Sequence, residues 1–221
     1  MKALVILSGG QDSTTCLFWA LDKYGPNNVQ ALGFDYGQRH KAELGFAKSI
    51  CDEQNIPFSI LSLPTIGQIS DNALTNSSII VDENKPAETP PNTLVEGRNI
   101  LFLTYAAIFA KERSINALVT GVGEADFSGY PDCRDVFIKA CNVSLNLGMD
   151  YPFVIETPLM WLTKKEIWLL SKKLGVLELI KTRTLTCYNG IVGAGCGNCP
   201  ACHLRNKGYE EFEVMVATTL L

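Results

Sequence analysis

The stretch ALVILSGGQDSTTCLFWAL, close to the start of the chain, constrains the fold more than any other. Five apolar residues, Ala3 to Leu7, run straight into Ser8-Gly9-Gly10-Gln11-Asp12-Ser13, and a helical pattern follows. A buried strand that feeds a glycine-rich turn and then a helix opens a βαβ unit. Such a turn suits an anion, because glycine lets backbone N–H groups approach closely and the helix N-terminus adds partial positive charge. Ser8, Ser13, Thr14 and Thr15 add hydroxyl groups at the same point. The spacing matches neither the dinucleotide G-x-G-x-x-G nor the G-K-[ST] of a Walker loop. Asp12 would repel a bare phosphate. It reads either as a cap accepting a backbone N–H or as support for a Mg²⁺ between it and the phosphates.

The rest of the chain continues the alternation. Strand patterns at 3–7, 29–36, 58–61, 117–121 and 153–155 alternate with helical patterns at 13–24, 41–55, 99–113, 134–147 and 164–174. This predicts an α/β fold with a doubly wound parallel sheet, whose ligands sit beyond the strand ends on one edge. The 221 residues allow one well-buried core with a small appendage: an α/β unit over 1–180 and a cysteine-rich tail over 181–221 packed on it. Two regions break the rhythm. Residues 64–97 carry four prolines and little apolar periodicity, which predicts a long loop. Residues 184–208 read as a small knuckle.

A net charge of −4 argues against a nucleic-acid backbone as a stable partner. No apolar run is long enough for a bilayer and none resembles an export signal, so a cytoplasmic protein is expected. Thiols stay reduced there, and the eight cysteines are not naturally four disulfides. Cys187, Cys196, Cys199 and Cys202 follow C-x8-C-x2-C-x2-C with glycines between them. Four thiolates so placed satisfy Zn²⁺ and leave no open position, which makes the site structural. Two other readings stand beside zinc, a C-x-x-C-H haem attachment at Cys199–His203 and an iron–sulfur cluster. Cys16, Cys51 and Cys141 read as small buried hydrophobes, whereas Cys133 sits in YPDCRD, next to other polar candidates.

The string SGGQDS resembles the pyrophosphate-binding loop of the N-type ATP pyrophosphatases, which cut ATP between the α and β phosphates and transfer AMP to a carbonyl oxygen. Over nearly the whole chain the resemblance narrows to the 7-cyano-7-deazaguanine synthase family of the queuosine pathway. FDYGQRH (34–40), GRNILFL (97–103), DFSGYPDCRD (126–135), TPLMW (157–161) and LTCYNG (185–190) carry it, followed by the cysteine tail. Gly123-Glu124-Ala125 departs from the bulkier Cys-Glu-Thr expected before Asp126. The resemblance implies a Rossmann-like ATP pyrophosphatase fold, zinc on the four cysteines, Mg²⁺ with ATP, and a homodimer. It also implies conversion of 7-carboxy-7-deazaguanine and ammonia to a nitrile through adenylated carboxylate and amide, with release of AMP and pyrophosphate.

Joined to that pattern, the sequence assigns ATP to Leu7, Ser8, Gly9, Gly10, Gln11, Asp12, Ser13, Thr14, Phe34 and Lys164. Catalysis or substrate binding falls to Asp12, Arg98, Asn99, Asp126, Tyr130, Asp132 and Arg134. Lys164, Arg98 and Arg134 are the cations available for phosphates. A guanine-like edge presents adjacent N–H and NH₂ donors that one carboxylate accepts as a pair, with Asp126 and Asp132 preferred over Glu124. Tyr130 or Phe127 is placed to stack on the base. No glutaminase-like domain fits in this length, so ammonia arrives free or from another protein. The competing readings are a different adenylating amidase, a tRNA-thiolating enzyme with the same loop, and a zinc-knuckle nucleic-acid module around Arg183, Arg205 and Lys207.

Overall fold

Strand β1 (Ala3–Ile6) lies in the middle of the sheet, and its composition says why: Ala3, Leu4 and Val5 have no exposed surface. A strand covered on both faces reads as a continuous apolar run. The computed structural model describes residues 1–38, 42–69, 72–76, 78–82, 91–125 and 130–219. Within them the order is β1, α1 (Gln11–Tyr24), β2 (Val29–Asp35), α2 (Ala42–Glu53), β3 (Phe58–Ser62), α3 (Thr65–Ile69), α4 (Arg98–Lys111) and β4 (Ala117–Val119). Then follow α5 (Asp135–Met149), β5 (Val154–Glu156), α6 (Lys164–Lys173), α7 (Leu177–Arg183) and α8 (Pro200–Thr219).

The sheet runs β3-β2-β1-β4-β5 and every pairing is parallel. Ala3 pairs with Val29 on one side and Ala117 on the other. Side chains alternate along β1, so Val5 packs with Leu17 of α1, Ile50 of α2 and Ile167 of α6. Leu4 packs on the opposite face with Leu103 of α4 and Leu145 of α5. Helices on both faces make this the expected doubly wound, Rossmann-like sheet. The order reverses between β1 and β4, where a crevice opens beyond the carboxyl ends of the strands.

Each expected strand and helix occurs, with ends displaced by at most two residues. α1 starts at Gln11 rather than residue 13 because Gly10, in extended conformation, is its N-cap. The strand expected at 117–121 ends at Val119, and Thr120-Gly121 turns into the crevice. Helices α3, α7 and α8 were not expected. The tail is more than a knuckle, since Cys202 lies in the first turn of the 20-residue α8. A glycine inside that helix looks like a breaker, but Gly208 lets α8 lie against α6: a Cβ there would stand 2.4 Å from Cβ of Lys164. Trp168, Ile180 and Phe212 seal the contact.

The described parts of 64–97 are folded onto the body. Asn72 accepts at Oδ1 from the N–H groups of Leu74 and Thr75, and Ala73, Val81 and Val95 are buried. Among the described residues no helix is long and apolar enough to cross a membrane.

Candidate active site

The turn after β1 is built from its own hydroxyls. Ser13 Oγ accepts the Ser8 N–H at 3.2 Å and lies 3.0 Å from Ser8 Oγ, which in turn accepts the Gly10 N–H at 3.3 Å. Gly9 holds φ +90° and presses against α2, where a Cβ would stand 2.3 Å from the Glu43 carbonyl oxygen. The Leu185 N–H donates to the Gly9 carbonyl, and the Gln11 N–H donates to Thr186 Oγ1 at 3.2 Å. The turn is thus clamped between α2 and the segment entering the cysteine tail. Gly121, just past β4, completes the approach, since a Cβ there would stand 3.0 Å from the Ser13 nitrogen.

Two lobes of a cleft meet over this turn, of about 340 and 260 Å³. Gln11, Asp12, Arg98, Asn99, Thr186 and Tyr188 face both. Lys164 Nζ lies 2.6 Å from Asp12 Oδ2, so the two form a half-buried ion pair across the second lobe. Asp12 therefore does not cap α1, whose N-cap is Gly10 without a side-chain bond. Among the described residues, the other Asp12 oxygen and both polar atoms of the Gln11 amide are buried without a partner. Polar atoms left so mark where a ligand's own polar groups belong. Arg98, the first residue of α4, reaches the Tyr36 hydroxyl at 3.4 Å and stands over that ring.

The sequence-assigned residues divide by position. Leu7, Ser8, Gly10, Gln11, Asp12, Ser13, Phe34, Arg98 and Asn99 face the first lobe, with Phe34 stacked on Phe102 at 4.3 Å between centroids. Lys164 and Tyr130 face the second, and the Tyr130 hydroxyl bonds Thr93 Oγ1 at 2.6 Å. Gly9 and Thr14 support the turn from behind. Asp132 faces neither lobe; its Oδ2 accepts the Asn99 N–H at 3.0 Å and so caps α4. Glu124 does the same for α5, accepting the Asp135 N–H. Arg134 is exposed outside the cleft. Asp126 and Phe127 lie outside the described residues. Cys133 faces the second lobe, where burial pushes its thiol up to about 11.

Among the polar residues of the cleft, Glu43, Thr186 and Arg205 carried no assignment to it from the sequence. Thr186 lies inside the quoted LTCYNG string, but nothing in its type demanded a role. Tyr188-Asn189-Gly190, inside the cysteine span, reads from the sequence as a segment of the active-site wall, and Tyr188 faces both lobes. Arg205 entered the sequence reading only as part of the basic cluster of a nucleic-acid module. It is 2% exposed and bonds Thr184 Oγ1, Thr186 Oγ1 and the carbonyls of Ile180 and Lys181. Its guanidinium also sits over Trp168, and burial lowers its pKa to about 10. Arg183 pairs with Glu53, and Lys207 stands 3.9 Å from Glu211, so the basic cluster of the nucleic-acid reading is internally answered.

Glu43 carries a pH signature. Burial lifts its carboxyl to about 7, against donation from Gln38 and the nearby Arg98. An unfolded glutamate titrates near about 4.3. Between those values the folded chain holds a proton that the unfolded chain has released, so stability falls as pH rises through this window and levels off above it. Glu43→Gln should abolish that slope and be more stable than the parent at pH 8. Urea melts at pH 5 and pH 8 check it, and an unchanged slope would refute the assignment.

The Sγ atoms of Cys187, Cys196, Cys199 and Cys202 all lie within 4.8 Å of one another. A tetrahedron with metal–sulfur arms of about 2.3 Å has edges of about 3.8 Å, so the four thiols fit a metal ion. Gly195 makes room, since a Cβ there would stand 2.2 Å from Cys202 Sγ. Burial raises thiols in general, but N–H donation from Asn198 and Cys199 brings Cys196 down to about 6. His203 is exposed and stands apart from the group.

With this geometry in place, the chain matches the family described as "Queuosine biosynthesis protein QueC" over residues 2–213. It is 58% identical to a 7-cyano-7-deazaguanine synthase of Clostridium acetobutylicum, across 96% of this chain and 95% of that one. A protein of the same description from Clostridium botulinum is 59% identical across 96% of each chain. A solved NH3-dependent NAD synthetase from Campylobacter jejuni aligns with a TM-score of 0.49 and 19% identity, covering 81% of this chain and 66% of that one.

Proposed function

The chain belongs to the QueC family of queuosine biosynthesis proteins, and from that premise we propose that its cleft adenylates 7-carboxy-7-deazaguanine and converts it with ammonia to 7-cyano-7-deazaguanine. A carboxylate resists nucleophiles because of its charge. Attack of its oxygen on the α-phosphorus of ATP expels pyrophosphate and leaves an acyl adenylate. Ammonia then displaces AMP, losing a proton, and gives the amide. The amide oxygen attacks a second ATP, and AMP departs with that oxygen while the nitrogen loses two protons to form the nitrile.

The residues of this chain supply the positioning. The hydroxyls of Ser8 and Ser13, which hold the turn in shape, and the N-terminus of α1 that follows it cradle the β and γ phosphates. Lys164 and Arg98 clamp the α-phosphate, where negative charge builds during transfer. Asp12 holds Lys164 in place and offers its unpartnered oxygen to the Mg²⁺ that accompanies ATP. A bound Mg²⁺ neutralises phosphate charge. Phe34 and Phe102 offer an apolar wall for a flat base. The observation that carries this reading is the hydroxyl-lined turn without a P-loop lysine, set at the strand reversal beneath the cleft. Mass spectrometry of a reaction with 7-carboxy-7-deazaguanine, ATP, Mg²⁺ and ammonium should find the nitrile with AMP and pyrophosphate. ADP and orthophosphate as the nucleotide products would overturn it.

The four thiols hold one zinc per chain in a structural role, and the cysteine-rich tail around them brings Thr186, Tyr188 and Arg205 to the cleft. Free thiols agree with a cytoplasmic enzyme. Cys199→Ser should lower the melting temperature and release metal before it affects chemistry. Elemental analysis and a thermal melt check this, and iron with acid-labile sulfide would count against zinc. Exposed Val136, Val143 and Leu147 share one face of α5, and α4 also carries exposed Ile100 and Ile108, which supports a homodimer. A double change, Val143→Glu with Leu147→Glu, should yield monomers by light scattering. A monomeric parent would remove the reading.

A further inference from the structure

Thr186 Oγ1 accepts the Gln11 N–H at 3.2 Å and Arg205 Nη1 at 2.9 Å. A hydroxyl oxygen has two lone pairs, so both are used. Its hydrogen must then point elsewhere. Its neighbour Thr184 shows the contrast: that hydroxyl also accepts from Arg205 but donates to the Ile180 carbonyl at 2.6 Å. Among the described residues Thr186 meets no such acceptor, and it faces both lobes of the cleft. The buried guanidinium, bonded directly to the hydroxyl oxygen, polarises it further. Beside it the Gln11 amide, 1% exposed, also faces both lobes, and its polar atoms have no partner among the described residues.

We propose that Thr186 is a preorganised hydrogen-bond donor to an anionic oxygen of the departing pyrophosphate, a catalytic group delivered to the phosphate turn by the cysteine tail. Arg205 is the positioning residue behind it. The same hydroxyl that holds the Gln11 N–H thereby joins the turn and the tail into one anion-binding wall. Donors fixed before the charge develops are the ones that lower a barrier. The inference rests on reading the cleft as an ATP site, and the test separates the two.

The test uses zinc-loaded full-length protein, with calorimetric titration of inorganic pyrophosphate and Mg²⁺ beside an assay of AMP formation. Thr186→Val should weaken pyrophosphate binding by about tenfold and slow AMP formation by about 100-fold. Thr186→Ser, which keeps the hydroxyl, should stay within about threefold of the parent in both. A valine variant equal to the parent overturns the proposal, and so does a serine variant as poor as valine. Should the valine variant lose zinc, Thr186→Ala is held to the same two readings. A parent that binds no pyrophosphate and forms ADP overturns the ATP reading itself, whereas an active parent matched by the valine variant overturns only the role of Thr186.

Discussion

Replacing Gly9 by alanine should destroy turnover and remove a large share of the folding stability. The residue sits at φ +90°, a conformation that costs an L side chain about 1–3 kcal/mol. A Cβ there would also meet the Glu43 carbonyl oxygen at 2.3 Å and the Ala47 nitrogen at 3.2 Å. Both are backbone atoms of α2, so no side chain can swing aside. Either α2 retreats, carrying Glu43 out of the cleft, or the turn moves and breaks the bond from the Leu185 N–H to the Gly9 carbonyl. Gly25→Ala is the control: its φ is +78°, but no atom lies within 4 Å of the added carbon. It should lower the melting temperature and leave the turnover number alone. Urea unfolding and pyrophosphate release on both variants check the pair. A Gly9→Ala enzyme with parental turnover would mean that the turn does not hold phosphate.

What the sequence made legible and what it hid have one physical origin. Ala3–Leu7 announced a strand because a central parallel strand is apolar on both faces, and the glycines after it could serve only a turn. The cysteine spacing pointed to a cluster because local chain geometry alone brings close thiols together. Local signals also set the helix ends: Thr163 and Glu166 form a reciprocal cap, with the Thr163 N–H donating to Glu166 Oε2 at 2.8 Å. Long-range meetings left no such trace. Arg205 was grouped with Arg183 and Lys207 as a basic cluster because its acceptors, Thr184, Thr186, Ile180 and Lys181, come near only after α8 folds back. Asp132 was favoured as a base reader on type and position, and its carboxylate is engaged on the first turn of α4. A carboxylate that caps and one that recognises are alike in sequence and differ only in what surrounds them.

Neutralising Lys164 should cost far more chemistry than stability, and this asymmetry decides what its ion pair with Asp12 is for. The pair is 2.6 Å long and half-buried, with side-chain exposures of 16% for Lys164 and 33% for Asp12. A structural bridge so placed contributes about 1 kcal/mol. Lys164→Met and Asp12→Asn should each lower stability by about that amount. Combined, they should recover part of the loss, because neither charge is then left alone. Turnover should behave differently. A cation aimed at developing phosphate charge is worth about 100-fold, so Lys164→Met should lose that much in AMP formation. The double variant should regain none of it. Asp12→Asn should raise the Mg²⁺ concentration needed for half-maximal rate, since an amide offers one oxygen and no charge. The measurements are a double-mutant cycle in urea unfolding and the same cycle in initial rates with varied Mg²⁺. If the double variant restores both stability and rate, the pair is scaffolding and Lys164 does not touch the phosphates. If stability recovers while the rate stays lost, the lysine works on the substrate and Asp12 serves to aim it.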